Sequence, residues 1–442
     1  MPEGNPSAEV VATPKQAEDI TWMEASIWTP RMVAALEQGV EGGRWYSLID
    51  KVHRMENLTA AYERTKRNKG THGVDNISVK FFGKYLEENL DRIAKELKDG
   101  TYRPQRLRRI YIPKPGSNEK RPISIPTVKD RVVQGAVKHV IEPIFERTFA
   151  DTSYGFRPNR NAKQALRRVE KELNRGTRYV IDCDFKSYFD TIPHDKLLAK
   201  VKELITDSKL LALIELMLRQ GILETHKQWT PTQGTPQGGV ISPLLANIYL
   251  NELDHQLSQA GVQPTRYADD LVVLCESQEE AQRTLEYIQL WSDGAGLALH
   301  PTKTKIVDMG QAGAEVDFLG YTFKRTGTGR LIRLPRQRSM ERLKESIRKH
   351  TQRKTGVSLA VTIQRVNRTV RGWYNYFQES IPTVFPEVDR FIRRRLRAIL
   401  LKRLRAPGFG TASAHQRWPN SYFAAQKLFS TTVASASAVY SA

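Results

Sequence analysis

The stretch Thr265-Arg-Tyr-Ala-Asp-Asp-Leu-Val-Val-Leu-Cys275 sets two adjacent aspartates, Asp269 and Asp270, between two β-rich runs. This pattern predicts a β-hairpin with the acidic pair at its turn. Consecutive side chains of a straight strand point to opposite faces of a sheet, whereas at a turn both can approach one site. Aspartate is also common in ordinary solvated turns, but apolar residues flank this pair, and charge in such surroundings needs a compensating partner.

A third carboxylate ends another apolar strand, residues 179–185, in which Asp184 is followed by Phe185. Nucleotidyl transfer needs two divalent cations about 3.5–4 Å apart, one at the attacking hydroxyl and one at the leaving pyrophosphate. Mg²⁺ prefers oxygen ligands, usually one or two carboxylates together with substrate phosphates. We therefore expect Asp184, Asp269 and Asp270 to hold two Mg²⁺ ions, with the backbone carbonyl of Phe185 completing the shell.

The composition points to a nucleic-acid partner. Lysine and arginine number 69 against 48 aspartates and glutamates, which gives the 442-residue chain a formal charge of +21. Such an excess is typical of proteins that bind phosphate backbones, although a basic protein can simply be soluble. No segment approaches the ~20 apolar residues of a membrane span, so no membrane partner is expected. The N-terminus lacks the pattern of a secretory signal, and the cytoplasm is the expected location.

Strands and helices do not alternate as βαβ repeats, which favours an α+β fold over an α/β fold. After Gly329 the chain becomes helical and strongly basic. Three amphipathic helices in this part predict a small bundle with one cationic face. In the third of these helices, the face opposite the apolar stripe carries Arg390, Arg393, Arg394, Arg395 and Arg397.

The acidic hairpin resembles the fifth motif of reverse transcriptases, and further segments resemble the other motifs of that family in the same order. Together the motifs are distributed over some 220 residues of the chain. The first motif resembles Ile112-Pro-Lys-Pro-Gly116 with Arg121-Pro-Ile-Ser-Ile-Pro126, and the second resembles Ser153-Tyr-Gly-Phe-Arg-Pro158. The third resembles Asp184-Phe-Lys-Ser-Tyr-Phe-Asp190, and the fourth resembles Gly234-Thr-Pro-Gln-Gly-Gly-Val-Ile-Ser-Pro243. The sixth resembles Gly296-Leu-Ala-Leu-His-Pro-Thr-Lys-Thr304, and the seventh resembles Phe318-Leu-Gly-Tyr321.

Within that family the chain resembles the group II intron maturase branch. Asn68-Lys-Gly-Thr-His-Gly-Val-Asp75 is similar to the branch's N-terminal extension loop, and Arg371-Gly-Trp-Tyr-Asn-Tyr-Phe377 to its maturase thumb. The resemblance implies a right-hand polymerase with an antiparallel palm sheet, helical fingers and a three-helix thumb. The expected divisions are an extension of uncertain order (1–42), fingers and palm (43–325), thumb or maturase domain (326–405), and a short tail that could be a remnant DNA-binding region (406–442).

The resemblance also implies roles for residues near the metals. Cations at Lys114 and Arg121 would meet the triphosphate of the incoming nucleotide and neutralise charge on the pyrophosphate. Phe189 would lie under the sugar, where its ring clashes with a 2′-hydroxyl and so favours deoxynucleotides. Gln237 would hydrogen-bond the nucleotide, while the neighbouring glycines let the backbone approach closely. Lys303 would reach a phosphate.

Two further interpretations concern charged residues. Asp190 is interpreted as an acceptor at a helix start rather than as a metal ligand. The thumb arginines are expected to contact the backbone of a nucleic-acid duplex, since the chain is strongly basic.

These implications describe an RNA-directed DNA polymerase that uses dNTPs and Mg²⁺ on an RNA template/DNA primer duplex. The protein would also bind its own group II intron RNA to assist splicing, and would move the intron into target DNA by target-primed reverse transcription. Alternatives at this stage are an RNA-binding maturase without polymerase activity, and a reverse transcriptase of retron, diversity-generating or phage-defence type. With only Cys183 and Cys275 and no CxxC pair, a disulfide scaffold and a zinc-dependent endonuclease are excluded. The sequence leaves the oligomeric state open.

Overall fold

The structure is a computed structural model that describes residues 20–113, 120–405 and 412–439. Strands and helices are mixed up to Pro335, and only helices follow in the described residues beyond it. This arrangement confirms the α+β class. In these same ranges no helix is both long enough and apolar enough to cross a membrane.

The fingers are built on the helix Val128–Glu146, whose side chains are nearly all buried. The N-terminal segment packs against this helix. Trp28 donates from its indole nitrogen to the carbonyl of His139 at 2.9 Å, and Ile27 beside it is fully buried. The buried side chains of Ile27, Trp28 and Leu36 therefore attach residues 20–42, whose order the sequence left uncertain, to the core. The elements of this part are α1 (Pro30–Gln38), α2 (Ile49–Val52), α3 (Met55–Arg67), α4 (Val79–Phe82), α5 (Leu86–Lys98), β1 (Leu107–Pro113), β2 (Lys120–Ile125) and α6 (Val128–Glu146), with short 3₁₀ helices at Glu41–Gly43 and Gly83–Tyr85.

The palm follows, and the order of the strands in its sheet positions the acidic residues. Its helices are α7 (Ala162–Asn174), α8 (Tyr188–Thr191), α9 (His194–Lys202), α10 (Ser208–Leu218), α11 (Ser242–Gln259) and α12 (Gln278–Ala295). The strands of this part of the chain, which belong to three different sheets, are β3 (Tyr179–Asp184), β4 (Ile222–Glu224), β5 (Lys227–Trp229), β6 (Gln263–Tyr267), β7 (Asp270–Cys275), β8 (Lys305–Asp308), β9 (Glu315–Phe318), β10 (Tyr321–Arg325) and β11 (Leu331–Pro335).

The palm sheet has the order β6-β7-β3-β8, and all of its pairings are antiparallel, as expected. β7 is buried on both faces after its first residue, which explains its unbroken apolar run. Alternate residues serve different cores: Val273 packs with the large core that includes α6, α11 and α12, whereas Val272 packs with α7 and β9–β10. A second sheet, β2-β1-β4-β5, forms the fingers, and a third, β11-β10-β9, leads to the thumb.

The thumb contains α13 (Gln337–His350), α14 (Leu359–Phe377) and α15 (Val384–Arg403). Ser358 caps α14 by accepting from the backbone N–H of Val361, as its sequence position indicated. The predicted apolar stripes meet in one core, so the three-helix bundle is confirmed. Its buried members include Leu343, Ile347, Ile363, Val366, Val370, Val388, Ile392, Leu396 and Ile399.

The last described residues fold onto this bundle as α16 (Ala412–Arg417), α17 (Asn420–Ala425) and α18 (Thr431–Val439). Phe423 is buried in the thumb core. The carboxylate of Asp389 in α15 accepts from the backbone N–H groups of Thr431 and Thr432 at 2.9 and 3.2 Å, which caps the start of α18. The weakly patterned stretch therefore extends the thumb; a role in DNA binding stays a prediction.

Candidate active site

The acidic residues meet at one end of the palm sheet. Tyr267 pairs with Asp270 across a hairpin whose two-residue loop is Ala268 and Asp269, as predicted. On the other side of β7, Asp270 lies directly opposite Asp184 of β3. Side chains alternate along a strand, so this register puts the carboxyl groups of Asp184 and Asp270 on one face of the sheet. Asp269 reaches the same place from the turn.

A buried ion pair supports this hairpin. Arg266 is fully buried and donates to both carboxylate oxygens of Asp254 in α11, with its Nε 2.8 and 2.9 Å from them. Its Nη1 donates to the carbonyl of Ala268 at 2.8 Å and to the side chain of Asn247 at 2.9 Å. Arg266 thus fixes the turn that carries Asp269. Sequence reasoning missed this residue, although an arginine directly before the acidic hairpin, in a β-rich run, was a signal for a buried partner.

Close backbone approach also fixes the hairpin. A Cβ atom on Gly155 would lie 2.2 Å from the backbone nitrogen of Ala268, so only glycine fits there. Ala268 itself has a φ of +60°, which is uncommon for a residue with a side chain. The second family-like motif therefore serves as a support for the fifth.

The carboxylates perturb one another. Burial within the cleft, followed by the charges of Asp269, Asp184 and Asp182, raises the pKa of Asp270 to about 7. Burial and then the charge of Asp184 also raise the pKa of Asp269, against the opposing effect of Arg121. Each added negative charge makes the next less favourable, and a bound cation would reverse this effect.

Asp182 is a fourth acidic residue of this face, and sequence reasoning did not select it. It precedes Asp184 by two positions on β3, and Lys305 of β8 pairs with it in register. Burial raises its pKa to about 6, with Lys305 opposing and Asp184 adding to the rise. Its position in a strand interior, rather than at the strand end, places it behind the other carboxylates.

The donor set fits Mg²⁺, which prefers carboxylate oxygens and completes its shell with substrate phosphates and water. No group of three histidine, cysteine, aspartate or glutamate side chains in the described ranges is assembled closely enough to hold an ion unaided.

The backbone around Phe185 pairs with the segment around Leu299. This β-bridge uses the carbonyl of Asp184 and the N–H of Lys186. The carbonyl of Phe185 therefore takes no part in that bridge.

Lys303 lies closer to the acidic cluster than expected. Its Nζ forms an ion pair with Oδ2 of Asp184 at 2.5 Å, and 62% of its side chain is exposed. The sequence predicted that Lys303 would reach a phosphate. The contact with Asp184 neither establishes nor contradicts that role, because an exposed lysine has the freedom to exchange one anionic partner for another.

One of the predicted nucleotide contacts, Arg121, lies on a finger strand. Lys114 lies outside the described residues. Arg121 lies on β2 opposite Ile112, and it is exposed. Burial raises the pKa values of Asp269 and Asp190, and the charge of Arg121 opposes both rises, so this charge acts on the cleft.

Phe189 and Gln237 lie near each other through Asp190, which follows Phe189 in the chain and contacts Gln237. The ring of Phe189 is half-buried and packs edge-on against Tyr188 at 5.6 Å. The amide Nε2 of Gln237 donates to Oδ2 of Asp190 at 2.8 Å. The interpretation of Asp190 as a helix-start acceptor is therefore wrong: α8 begins after Ser187 without a side-chain cap, and the carboxylate serves Gln237 instead.

The thumb arginines separate into two groups. Arg390 and Arg394 are exposed, which fits the predicted cationic face. Arg393 lies 3.9 Å from Asp389, and Arg395 donates to the carbonyl of Thr351 at 2.8 Å.

Arg397 contradicts the prediction that it contacts nucleic acid. It is only 2% exposed, and it donates to the carbonyl of Trp418 at 2.9 Å and to the side chain of Asn420 at 3.0 Å. Helical spacing placed it on the cationic face, but α16 and α17 cover that part of α15. Its guanidinium therefore serves the fold.

A groove of 870 Å³ runs from the loop after Gln237 towards the fingers. Gly238 and Gly239 line its inner end, and α3 and α6 form its walls. The wall residues Arg64, Arg67 and Lys138 make it basic. A basic wall of this kind favours an anionic ligand over an apolar one.

Comparison with known proteins agrees with this arrangement. Residues 112–323 match the family of reverse transcriptases (RNA-dependent DNA polymerases), and residues 340–418 match the group II intron maturase-specific domain. Group II intron-encoded protein LtrA of Lactococcus lactis subsp. cremoris is 43% identical over 196 residues, which cover 44% of this chain and 32% of LtrA. Protein YkfC of Escherichia coli K12 is 40% identical over 220 residues, 48% of this chain and 57% of YkfC.

Among solved structures, one titled "Partial Cas6-RT-Cas1--Cas2 complex" is similar at a TM-score of 0.36 and 22% identity, over 56% of this chain and 42% of that one. That likeness is too distant to support an argument.

The chain spans about a third of the length of LtrA and somewhat over half of YkfC. With a reverse transcriptase domain followed by a group II intron maturase-specific domain, it belongs to the family of group II intron-encoded reverse transcriptase/maturase proteins.

Proposed function

We propose that this protein is an RNA-directed DNA polymerase in which Asp184, Asp269 and Asp270 hold two Mg²⁺ ions. The observation that carries the proposal is the register of the palm sheet, which sets Asp184 opposite Asp270 beside the turn residue Asp269. When bound, the ions would activate the primer's 3′-hydroxyl and stabilise charge on the leaving pyrophosphate. The raised pKa values of Asp269 and Asp270 support the proposal, because a crowded acidic site gains from binding cations.

The surrounding residues would bind the incoming dNTP. Arg121 would attract its triphosphate from the finger strand β2, and Lys114 would add a second positive charge. Phe189 would pack under the sugar and exclude a 2′-hydroxyl. Lys303 would leave Asp184 as the metal ion binds there, and its ammonium group would then be free to meet a phosphate.

We further propose that the protein binds its own group II intron RNA, assists its splicing and carries the intron into target DNA by target-primed reverse transcription. The maturase-specific match over residues 340–418 supports the RNA partner. In this proposal residues 43–325 form the polymerase and residues 326–405 form the thumb. The exposed Arg390 and Arg394 would contact the backbone of the RNA template/DNA primer duplex. The bacterial source of LtrA and YkfC leads us to propose the bacterial cytoplasm as its place of action.

The test separates copying from RNA binding. Asp269→Asn and Asp270→Asn should each abolish cDNA synthesis on a primed RNA template, because each removes a negatively charged metal ligand. Affinity for intron RNA, measured by filter binding, should stay at the wild-type level, since phosphate contacts lie elsewhere. Substantial cDNA synthesis by either variant would overturn the metal assignment. Intron binding without cDNA synthesis by the wild-type protein would instead identify a maturase that lacks polymerase activity.

A further inference from the structure

The helix α12 covers the palm sheet on the face opposite the carboxylates. Ile181 and Cys183 of β3 belong to the core that α12 closes with Ile288. Asp182 and Asp184 alternate with them along the strand, so these carboxylates point the other way. The outer side of α12 therefore faces away from the catalytic cleft, and a molecule bound there would leave the cleft open.

The outer side of α12 carries large apolar side chains at helical spacing. Leu290 is 72% exposed and Tyr287 is 40% exposed, and Trp291 beside them is half-buried. Residues three or four positions apart share one face of a helix, so these three side chains form a continuous apolar surface. Single exposed apolar residues are ordinary, but adjoining ones beside a cavity indicate a binding surface.

Such a cavity, of about 400 Å³, opens beside Trp291 between α9, α11 and α12. The ring of Tyr249 adds to its apolar lining. The lysines in its lining already have partners: Lys200 pairs with Glu252 at 2.7 Å, and Lys196 donates to a backbone carbonyl of α12 at 2.5 Å. The cavity therefore suits an apolar side chain of a partner better than an anion.

The charges on α12 are mostly negative, in contrast to the chain as a whole. The helix has four acidic residues and one arginine. Glu286 and Asp293 lie one turn before and one turn after Leu290 on the same face. Their carboxylates accept from the neutral amides of Gln282 and Gln289 at 3.0 and 2.9 Å, so neither bond cancels a charge. A phosphate backbone would be repelled here, whereas cations on either side of an apolar residue would be attracted.

We infer that Tyr287, Leu290 and Trp291, together called the α12 surface, bind a basic amphipathic helix of a partner protein. The apolar stripe of that helix would cover Leu290 and insert a side chain into the cavity beside Trp291. Its lysines or arginines would pair with Glu286 and Asp293. Recognition of an amphipathic helix uses anchors three and four positions apart, which is also the spacing of the α12 surface. Because this surface lies behind the cleft, the enzyme could carry the partner while nucleic acid occupies the cleft.

The test uses a fluorescein-labelled peptide of about 18 residues, or five helical turns, with leucines along one face and lysines on both sides of them. Fluorescence anisotropy measures its binding to the full chain in the absence of nucleic acid. We expect saturable binding of one peptide per chain. Leu290→Ala should weaken the binding about tenfold, because the partner would bury most of this side chain.

The charge requirement is tested separately. Glu286→Gln combined with Asp293→Asn should weaken binding and make it less dependent on salt, because two ion pairs to the peptide are lost. A second peptide, with glutamate in place of each lysine, should not bind measurably, since its charges have the same sign as those of α12.

The matched control is Val433, which is 65% exposed on α18 in the thumb. Val433→Ala should bind the basic peptide as the wild type does. Leu290→Ala should keep the wild-type melting temperature and primer-extension rate, because its side chain is mostly in water and lies on the far side of the sheet from the carboxylates.

Three results would overturn the inference: no saturable binding of the basic peptide, wild-type affinity in Leu290→Ala, or equal binding of the acidic peptide. A fourth comes from sedimentation. If the wild-type chain dimerises and Leu290→Ala is a monomer, the α12 surface binds a second copy of this chain rather than a basic helix of another protein.

Discussion

The aspartates at one end of the palm sheet destabilise one another through burial and charge repulsion. Burial and three neighbouring carboxylates raise the pKa of Asp270 to about 7, well above the ordinary value for aspartate. A group whose folded pKa is raised keeps its proton in the folded state at pH values where the unfolded chain has lost it. Its contribution to stability is therefore full at low pH and is lost as pH rises towards 7.

Asp270→Asn should accordingly stabilise the metal-free protein at alkaline pH. The melting temperature of the variant in EDTA should exceed that of the wild type at pH 8, because asparagine carries no charge to repel its neighbours. Near pH 4 the two should melt alike, since Asp270 is then protonated.

Adding Mg²⁺ at pH 8 should raise the melting temperature of the wild type more than that of the variant. Equal melting temperatures in EDTA at both pH values would contradict this account of the site.

At the scale of elements, the hairpin between β6 and β7 depends on a charge pair that water does not reach. Arg266 and Asp254 are both fully buried, and their closest atoms are 2.5 Å apart. Removing one member of such a pair leaves the other charge uncompensated. Asp254→Asn should therefore lower the free energy of unfolding by about 3–5 kcal/mol, measured by urea denaturation.

The same helix supplies the control for this variant. Glu252, two residues before Asp254, forms an ion pair with Lys200 at 2.7 Å, and both side chains are partly exposed. Glu252→Gln should change the free energy of unfolding by less than about 1 kcal/mol. If the two variants were equally stable, the buried pair would have no special part in holding the hairpin.

Helix α15 has both exposed and buried arginines. Arg390 and Arg394 are four residues apart and exposed, so they share one accessible face. If they contact a duplex backbone, changing both to glutamine should flatten the plot of log affinity against log salt by roughly two, one for each lost phosphate contact. Helicity should not change, because glutamine is a good helix former.

Arg397→Gln is the matched variant on the same helix. It should lower the melting temperature, because the carbonyl of Trp418 and the side chain of Asn420 lose their donor. Its salt slope should remain that of the wild type. A changed slope for Arg397→Gln, or an unchanged one for the exposed pair, would contradict this division of tasks.

For the whole molecule, local patterns were enough to predict the elements that carry the acidic residues. The apolar run after Asp270 indicated a buried strand, and the adjacent aspartates indicated a turn, both as found. The apolar stripes that include Leu343, Val366 and Ile392 predicted the three thumb helices, because helical spacing can be recognised within a single segment of sequence.

Contacts between distant segments could not be predicted in this way. Arg397 has the spacing of an exposed residue, but its partners lie about 20 positions further along, in helices that cover it. Asp190 and Gln237 are 47 residues apart, and nothing in either motif shows that one side chain serves the other. Periodicity describes which face of an element is apolar; it does not describe what covers the polar face.

The central claim is that the carboxylates set together by the palm register catalyse RNA-templated DNA synthesis, and β3 offers a matched pair to test it. Asp184 lies opposite Asp270, whereas Asp182, two residues earlier on the same face, lies opposite Val272. The decisive measurement is the single-turnover rate of primer extension on an RNA template in Mg²⁺ for Asp184→Asn and Asp182→Asn. Asp184→Asn should lower the rate about a hundredfold or more, since several kcal/mol of charge stabilisation depend on a held metal ion. Asp182→Asn should stay close to the wild-type rate; comparable rates for the two variants, whether both high or both low, would contradict the claim.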